Sequence, residues 1–194
     1  MKSPGRKCRS RLAGYSLVEM MITLAICLVL LSVAMPMMVG AIQSYRLNSA
    51  AQQIANFIDL TRYTAIRNNK VTSLQSTVQN GITILYIDLD GDGQMQANEP
   101  RIMLPTDIVF ANGDSLLPAR ASTGLANTQD FSNQITFDSR GVLNYGAGGI
   151  APSSYFLALG FSTQVGSGYR AVTVTPMGQT KMWTGLASGT WSAF

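Results

Sequence analysis

Hydrophobic residues are concentrated in one uninterrupted stretch near the N-terminus. No charged residue lies between Met20 and Tyr45. The most apolar part, Leu17 to Val39, would be about 35 Å long as a helix, which is enough to cross the hydrocarbon core of a bilayer. An ordinary secretory signal peptide has a shorter apolar region of roughly 7 to 15 residues. The pattern therefore predicts a membrane-spanning helix.

A second helical pattern follows directly. Apolar residues recur at spacings typical of one helix face, with polar residues between them: Leu47, Ala51, Ile54, Ile58 and Ala65. The segment from Gln43 to Asn48 contains neither glycine nor proline, so nothing interrupts the helix after the apolar stretch. One continuous helix from Tyr15 to Asn69 is predicted, and its second half is amphipathic.

From Val71 onward the helical pattern is replaced by short β-prone runs between Gly, Asn and Pro. The predicted strands are Val71 to Val78, Gly81 to Asp88, Arg101 to Phe110, Ile135 to Asp138, Tyr155 to Phe161, Ala171 to Thr175 and Gln179 to Thr184. Residues 111–133 and 141–153 are predicted as long loops. Mostly antiparallel strands packed on the helix make an α+β fold.

The junction before the apolar stretch reads Gly14-Tyr15-Ser16-Leu17-Val18-Glu19, and it follows a short basic segment. This pattern resembles the start of type IV prepilins, with Tyr15 in place of the more usual Phe. The resemblance implies that a prepilin peptidase cuts after Gly14 and that Tyr15 becomes the methylated mature N-terminus. It also implies that Glu19 pairs with the α-amino group of Tyr15 on a neighbouring subunit during assembly.

The end of the predicted helix resembles the GspH/FimT family of minor pilins and pseudopilins. Arg62, Ala65 and Ile66 match the family pattern A-R-x-x-A-I-x-R-x-x-x-V, whereas Arg67 and Val71 each come one position earlier than the pattern has them and the residue before Arg62 is Thr rather than Ala. We interpret the two arginines as solvated cations near a helix C-terminus rather than as a ligand site. The resemblance implies a type IV pilin-like fold with a long N-terminal helix on a β-sheet head.

The family resemblance also implies a domain organisation and a location. Residues 1–14 would be the prepilin leader, 15–42 the transmembrane half of the helix, and 43–194 a head in the periplasm. The chain would be a single-pass protein of the inner membrane that enters a filament after assembly. Its expected partners are the prepilin peptidase and other major and minor pilin or pseudopilin subunits.

The net charge of +4 arises from the predicted leader and not from the mature chain. Five of the fourteen basic residues lie before Gly14, whereas all ten acidic residues follow it. The mature chain would carry nine basic and ten acidic residues, a net charge of −1. Bulk charge therefore does not indicate nucleic-acid binding, and the early cations are typical of a segment retained in the cytoplasm.

An acidic segment fits the spacing of a calcium-binding loop. Asp88, Asp90, Asp92 and Glu99 would provide carboxylates, and Gln94 a backbone carbonyl. Calcium is the one cofactor that the sequence indicates. The flanking run is a strand rather than an EF-hand helix, so a turn held by side-chain hydrogen bonds is the alternative.

Some members of the family that this chain resembles carry a DNA-contacting Gly-Arg-x-Arg element in their C-terminal part. This chain has Gly178-Gln179-Thr180-Lys181 instead, which loses both arginines and keeps only the charge of Lys181. DNA binding is therefore disfavoured. Trp183 and Trp191 could stack on bases, but aromatic residues in a small β domain are more often part of the core or of a subunit contact.

These observations favour a structural role in the assembly or priming of a type IV pilus or of a type II secretion pseudopilus, and the sequence does not separate the two. The alternatives are a pilus-associated DNA receptor for natural transformation and a membrane-anchored calcium-binding module. Enzyme activity is not expected, because the chain contains no histidine and no nucleophile–base pair can be assembled from its residues.

Overall fold

The computed structural model describes residues 14–111, 113, 118, 120, 125, 128–144, 153–163, 168–186 and 189–193. The chain divides into two units, with the break between Ala41 and Ile42. Helix α1, Leu17–Asn68, contributes to both units and is the one described helix long and apolar enough to cross a membrane. The predicted continuous helix is thus confirmed to within two residues at its start and one at its end.

The second unit contains two sheets. In the first sheet the strand order is β3 (Arg101–Met103), β2 (Ile82–Asp88), β1 (Thr72–Gln79) and β6 (Gln134–Phe137), with every neighbouring pair antiparallel. The β1–β2 hairpin closes through Asn80 and Gly81, whose φ angles are +52° and +76°. A two-residue turn with both φ angles positive matches the twist of the strands and suits Asn-Gly.

The second sheet has the order β10 (Trp191–Ala193), β9 (Thr180–Gly185), β8 (Tyr169–Val174), β7 (Ser154–Phe161) and β4 (Ile108–Phe110). Strand β5 (Thr128–Asp130) also pairs with β7, and this pairing is parallel. The other pairings in the sheet are antiparallel. The α+β class and the long helix on antiparallel strands are confirmed.

The main core lies between the second half of α1 and the inner faces of both sheets. Leu47, Ile54 and Ile58 from the helix are buried together with Leu85 from β2 and Val172 from β8. Because these helical residues recur every three or four positions, one face of α1 is buried while the opposite face carries exposed polar residues.

The second sheet is also buried on its outer face. Phe156 and Ala171 point away from the main core and pack with Leu125 and Trp191. The Trp191 indole Nε1–H donates a hydrogen bond of 2.9 Å to the Pro118 carbonyl. Parts of the segment predicted as a surface loop thus cover this sheet, and Trp191, only 3% exposed, is a core residue.

The predicted strand from Arg101 to Phe110 is wrong as a single element. After β3 the Leu104 N–H still donates to the Thr83 carbonyl, but Pro105 has no N–H with which to continue the ladder. The chain turns, with the Ile108 N–H bonded to the Pro105 carbonyl at 2.9 Å, and β4 joins the other sheet. Strands β5 and β10 were not predicted, and part of the second predicted loop, 145–152, lies outside the described residues.

Candidate functional site

The predicted processing motif lies at the beginning of α1. Gly14, Tyr15 and Ser16 precede the helix, and Glu19 lies in its first turn, where a carboxylate interacts favourably with the helix dipole. Tyr15 is 79% exposed, and neither its side chain nor that of Glu19 forms a hydrogen bond or ion pair with any described residue. The rest of the predicted leader, residues 1–13, lies outside the described part of the chain.

The apolar first half of α1 is exposed to solvent. None of the side chains described between Leu17 and Ile42 is buried, although most of them are large and hydrophobic. A continuous apolar surface of this length is not left in water by a soluble protein. None of the described residues covers it, and an exposed apolar surface of this size is typical of a membrane or protein contact.

The acidic segment forms a compact turn after β2 in which Asp88 is central. Asp88 is only 2% exposed, and its carboxylate accepts hydrogen bonds from the Gly91 N–H at 2.6 Å and the Gly93 N–H at 3.0 Å. The Gln75 side-chain amide donates a third, at 2.7 Å. Gly91 and Gly93 have φ angles of +82° and +73°, which residues with a Cβ adopt only at a cost.

The opposite side of the turn is closed by Glu99, which is 5% exposed. Its carboxylate accepts from the Leu89 N–H at 3.0 Å and from the Gln96 N–H at 2.9 Å. The Gln96 side-chain amide in turn donates to Asp90 at 2.7 Å and to Asp92 at 3.0 Å. All four carboxylates therefore receive backbone or amide donors, although only Asp88 and Glu99 are buried.

The structure brings together three of the four predicted carboxylate ligands. Oxygens of Asp88, Asp90 and Glu99 lie within 4.8 Å of one another, whereas Asp92 is not part of this group. The Asp92 carboxylate accepts from the Gln94 N–H at 2.8 Å, and this bond, followed by that from Gln96, lowers its pKa. These donors stabilise the anionic carboxylates without a cation, which favours the turn interpretation, and the calcium site stays a prediction.

Three residues of this turn were not predicted from the sequence: Gln75, Gln96 and Tyr86. The Tyr86 hydroxyl donates to the Gly93 carbonyl at 3.0 Å and lies 3.1 Å from the Gln75 amide oxygen. Burial raises the pKa of Tyr86, and the nearby charges of Asp88, Glu99 and Asp92 raise it further. A tyrosine two residues before the first aspartate in the same strand was the available signal, since both side chains lie on one face.

Lys181, which was considered above for a DNA contact that the sequence disfavours, is exposed on β9. Its ammonium nitrogen is 4.6 Å from the ring centroid of Trp183, a cation–π geometry. The Trp183 Nε1–H donates to the Thr173 hydroxyl at 3.0 Å, and Trp191 is in the core. One cation and one half-buried ring do not make the basic, aromatic groove that binds single-stranded nucleic acid.

The matched family signature at the end of α1 has a structural contact. The Arg62 Nε–H donates to the Gly141 carbonyl at 3.0 Å, so Arg62 is not simply solvated as we predicted. A Cβ at Gly141 would lie 2.6 Å from the Ile66 side chain, and one at Gly178 would lie 2.9 Å from Arg62. Arg62 and Ile66 thus pack against two glycine turns that precede and follow the central strands of the second sheet.

Comparison with curated protein sequences gives no significant match. Among solved structures, the chain is similar to the type IV minor pilin FimU of Pseudomonas aeruginosa, at 16% identity and a TM-score of 0.46, over 70% of this chain and 91% of that one. It is also similar to the minor pseudopilin EpsH from the type 2 secretion system of Vibrio cholerae, at 14% identity and a TM-score of 0.43, over 72% of this chain and 97% of that one.

Two protein-family models match the chain. The model of the prokaryotic N-terminal methylation motif matches residues 9–35, which include the junction at Gly14 and the beginning of α1. The model described as type II transport protein GspH matches residues 50–178, about two thirds of the chain, from the amphipathic half of α1 to the turn at Gly178. This protein therefore belongs to the GspH family of type II transport proteins.

Proposed function

We propose that this chain is a minor pilin or pseudopilin subunit that is cleaved after Gly14 and then takes part in the assembly or priming of a type IV pilus or type II secretion pseudopilus. The observation that carries the proposal is the match to the methylation motif over residues 9–35, which includes the Gly14 junction and much of the exposed apolar half of α1. Cleavage at that junction would remove the basic leader and leave the apolar segment as the new N-terminus.

The exposed apolar segment would occupy two environments in turn, the membrane and then the filament. Before assembly it would span the inner membrane once, with the head in the periplasm, because the segment is long enough to cross the hydrocarbon core. After assembly it would pack against the corresponding helices of other subunits. In both settings its large side chains leave water, which is the main source of free energy for holding the subunit in place.

Glu19 is the residue we propose to guide assembly. It is the only charged residue from Tyr15 to Tyr45, and it has no partner among the described residues. A carboxylate beside an apolar helix costs free energy unless it is paired or hydrated. The α-amino group of Tyr15 on a neighbouring subunit would provide that pairing and would fix the axial register of one helix against the next.

Processing is tested by intact mass spectrometry of the full chain expressed with its prepilin peptidase and filament system. We expect a mature N-terminus at Tyr15, methylated on its amino group, and loss of residues 1–14. A mature N-terminus elsewhere, above all one beyond Val39, contradicts the assignment.

Assembly is tested by immunoblotting sheared filaments and membrane fractions. Glu19→Ala and the isosteric Glu19→Gln are expected to remain in the membrane fraction and to be depleted from filaments. Gln52→Ala, which removes an exposed polar group from the same helix without changing charge, is the control and is expected to assemble. Normal incorporation of both Glu19 variants would show that the pairing with Tyr15 is wrong.

A further inference from the structure

Arg170, at the beginning of β8, is a buried cation on the face of the sheet that contacts α1. Its side chain is 9% exposed. The Nε–H donates to the Asn48 side-chain carbonyl, one Nη2–H donates to the Ser44 hydroxyl at 2.9 Å, and one Nη1–H donates to the Tyr169 carbonyl at 2.9 Å. All three acceptors are neutral.

No carboxylate balances this charge within the described residues. The acidic group at the same end of the sheet, Asp107, is already paired with Arg46 at 3.0 Å. Burial lowers the pKa of Arg170, as expected for a guanidinium that has lost water without gaining an anion. A buried ion is normally paired, because several kcal/mol of hydration are lost otherwise.

The donors around Arg170 are also incompletely used. A guanidinium has five N–H groups, and two of those on Arg170 have no acceptor among the described residues. The Ser44 hydroxyl accepts from Arg170, and its own O–H donates to no described residue. Three donors are therefore left at one position, where they could donate to the two non-bridging oxygens of a phosphodiester.

The position of Ser44 along α1 indicates where that phosphate would come from. Ser44 lies five residues after Val39, the end of the most apolar stretch, and helical rise places it about 7.5 Å farther along the axis. The headgroup layer on each side of a bilayer is about 5 to 8 Å thick. The next residue, Tyr45, is an exposed aromatic of the kind enriched at membrane interfaces.

We infer that Arg170 and Ser44 bind the phosphate of an anionic lipid headgroup in the periplasmic leaflet while the subunit waits in the membrane. The inference rests on the proposed membrane anchoring of α1. The bound headgroup supplies the missing negative charge and holds the beginning of β8 against α1. The lipid is lost when the subunit leaves the membrane for a filament. The contact is therefore expected in the membrane-held subunit and not in the assembled filament.

The test uses the full chain, one copy per nanodisc, in discs of pure phosphatidylglycerol and of pure phosphatidylcholine. The readout is amide hydrogen exchange of residues 44–48 and 169–174. Exchange is expected to be about fivefold slower in phosphatidylglycerol, the effect of one basic residue held at an anionic surface. Arg170→Gln is expected to abolish the difference, and Ser44→Ala to reduce it. The single-copy discs exclude a carboxylate from a neighbouring subunit as the source of protection.

Arg46→Gln is the matched control, since it removes an equal charge from an exposed residue at the same end of the sheet. It is expected to keep most of the lipid effect. Equal loss in Arg46→Gln and Arg170→Gln would indicate unspecific surface attraction and would overturn the inference, as would equal exchange of the unaltered chain in both lipids. Protection by inorganic phosphate added to phosphatidylcholine discs would overturn the lipid as the source. A chain that does not elute with the discs contradicts membrane anchoring itself, which separates that failure from the failure of the lipid site.

Discussion

Replacing Gly178 with alanine tests whether the end of α1 is wedged between two turns. Gly178 has a φ angle of +74°, and a Cβ there would lie 2.6 Å from the Gly141 carbonyl oxygen and 2.9 Å from Cδ and Nε of Arg62. The carbonyl is backbone and cannot move away cheaply. Arg62 would be displaced, and its hydrogen bond to Gly141 would be lost.

The cost of Gly178→Ala can be divided into three parts. A left-handed backbone costs a residue with a Cβ about 1 to 2 kcal/mol. Forcing an extra methyl into packed surroundings costs about 1 to 3 kcal/mol, and the lost hydrogen bond about 0.5 to 1.5 kcal/mol. We therefore expect the free energy of unfolding to fall by about 2.5 to 6.5 kcal/mol, a large part of the stability of a marginal domain.

Gly81→Ala is the matched control for the backbone contribution. Gly81 has nearly the same φ angle, +76°, but nothing lies within 4 Å of the position of its Cβ. Only the backbone cost of about 1 to 2 kcal/mol is expected there. Both variants are compared by urea unfolding of the soluble head from Gln43 onward, at an unchanged m value. Equal destabilisation by the two substitutions would refute the wedge.

Three further outcomes are expected in the same head fragment. If calcium binds the acidic turn, it should stabilise the fold by about 2.7 kcal/mol at one hundred times its dissociation constant, and Asp90→Ala with Asp92→Ala should abolish this; equal melting in calcium and in chelator would leave a plain turn. Burial raises the pKa of Asp59 above its ordinary 3.8, so its contribution to stability is present below that pH and lost as pH rises through the folded value. Asp59→Asn should therefore raise the melting temperature more at pH 7 than at pH 3, and a gain independent of pH would contradict this. Trp191→Ala should cost about 3 to 5 kcal/mol, whereas Trp183→Ala should cost clearly less, and the reverse order would show that the outer face of the second sheet is not a packed core.

The sequence predicted elements that are determined by local patterns. The helix from Leu17 to Asn68 follows from its apolar stretch and from the residue spacing of its amphipathic half, and strands β1 and β2 follow from two short β-prone runs. Assignment of strands to sheets could not be predicted this way. Residues 101–110 look like one strand, and only the pairing partners on either side of Pro105 show that it is two. Trp191 shows the same limit, because its burial depends on Pro118, seventy-three residues earlier.

The acidic turn shows why a site is harder to predict than the segment that contains it. Aspartates at alternate positions identify the turn, because their carboxylates accept from nearby backbone N–H groups. What they cannot show is which donors arrive from elsewhere. Gln75 comes from the neighbouring strand, and glutamine has no spacing rule that would connect it with Asp88. The amide donor that comes from the neighbouring strand could not be found from the sequence. The sequence alone therefore could not decide whether calcium or hydrogen bonds stabilise the carboxylates.

The polar side chains of α1 have different partners at different points along the helix, and these partners connect the fold with the proposed function. Glu19 at the beginning of the helix has no partner among the described residues, so it is available to another molecule. Arg62 near the end is used within the chain, because its Nε–H donates to the Gly141 carbonyl in a turn of the head. Asn48 and Ser44 hold Arg170 with neutral acceptors only and leave its charge uncompensated. Since uncompensated charges indicate where a chain meets other molecules, the chemistry of assembly and of the membrane is expected at Glu19 and Arg170, and the family signature at Arg62 is expected to serve folding.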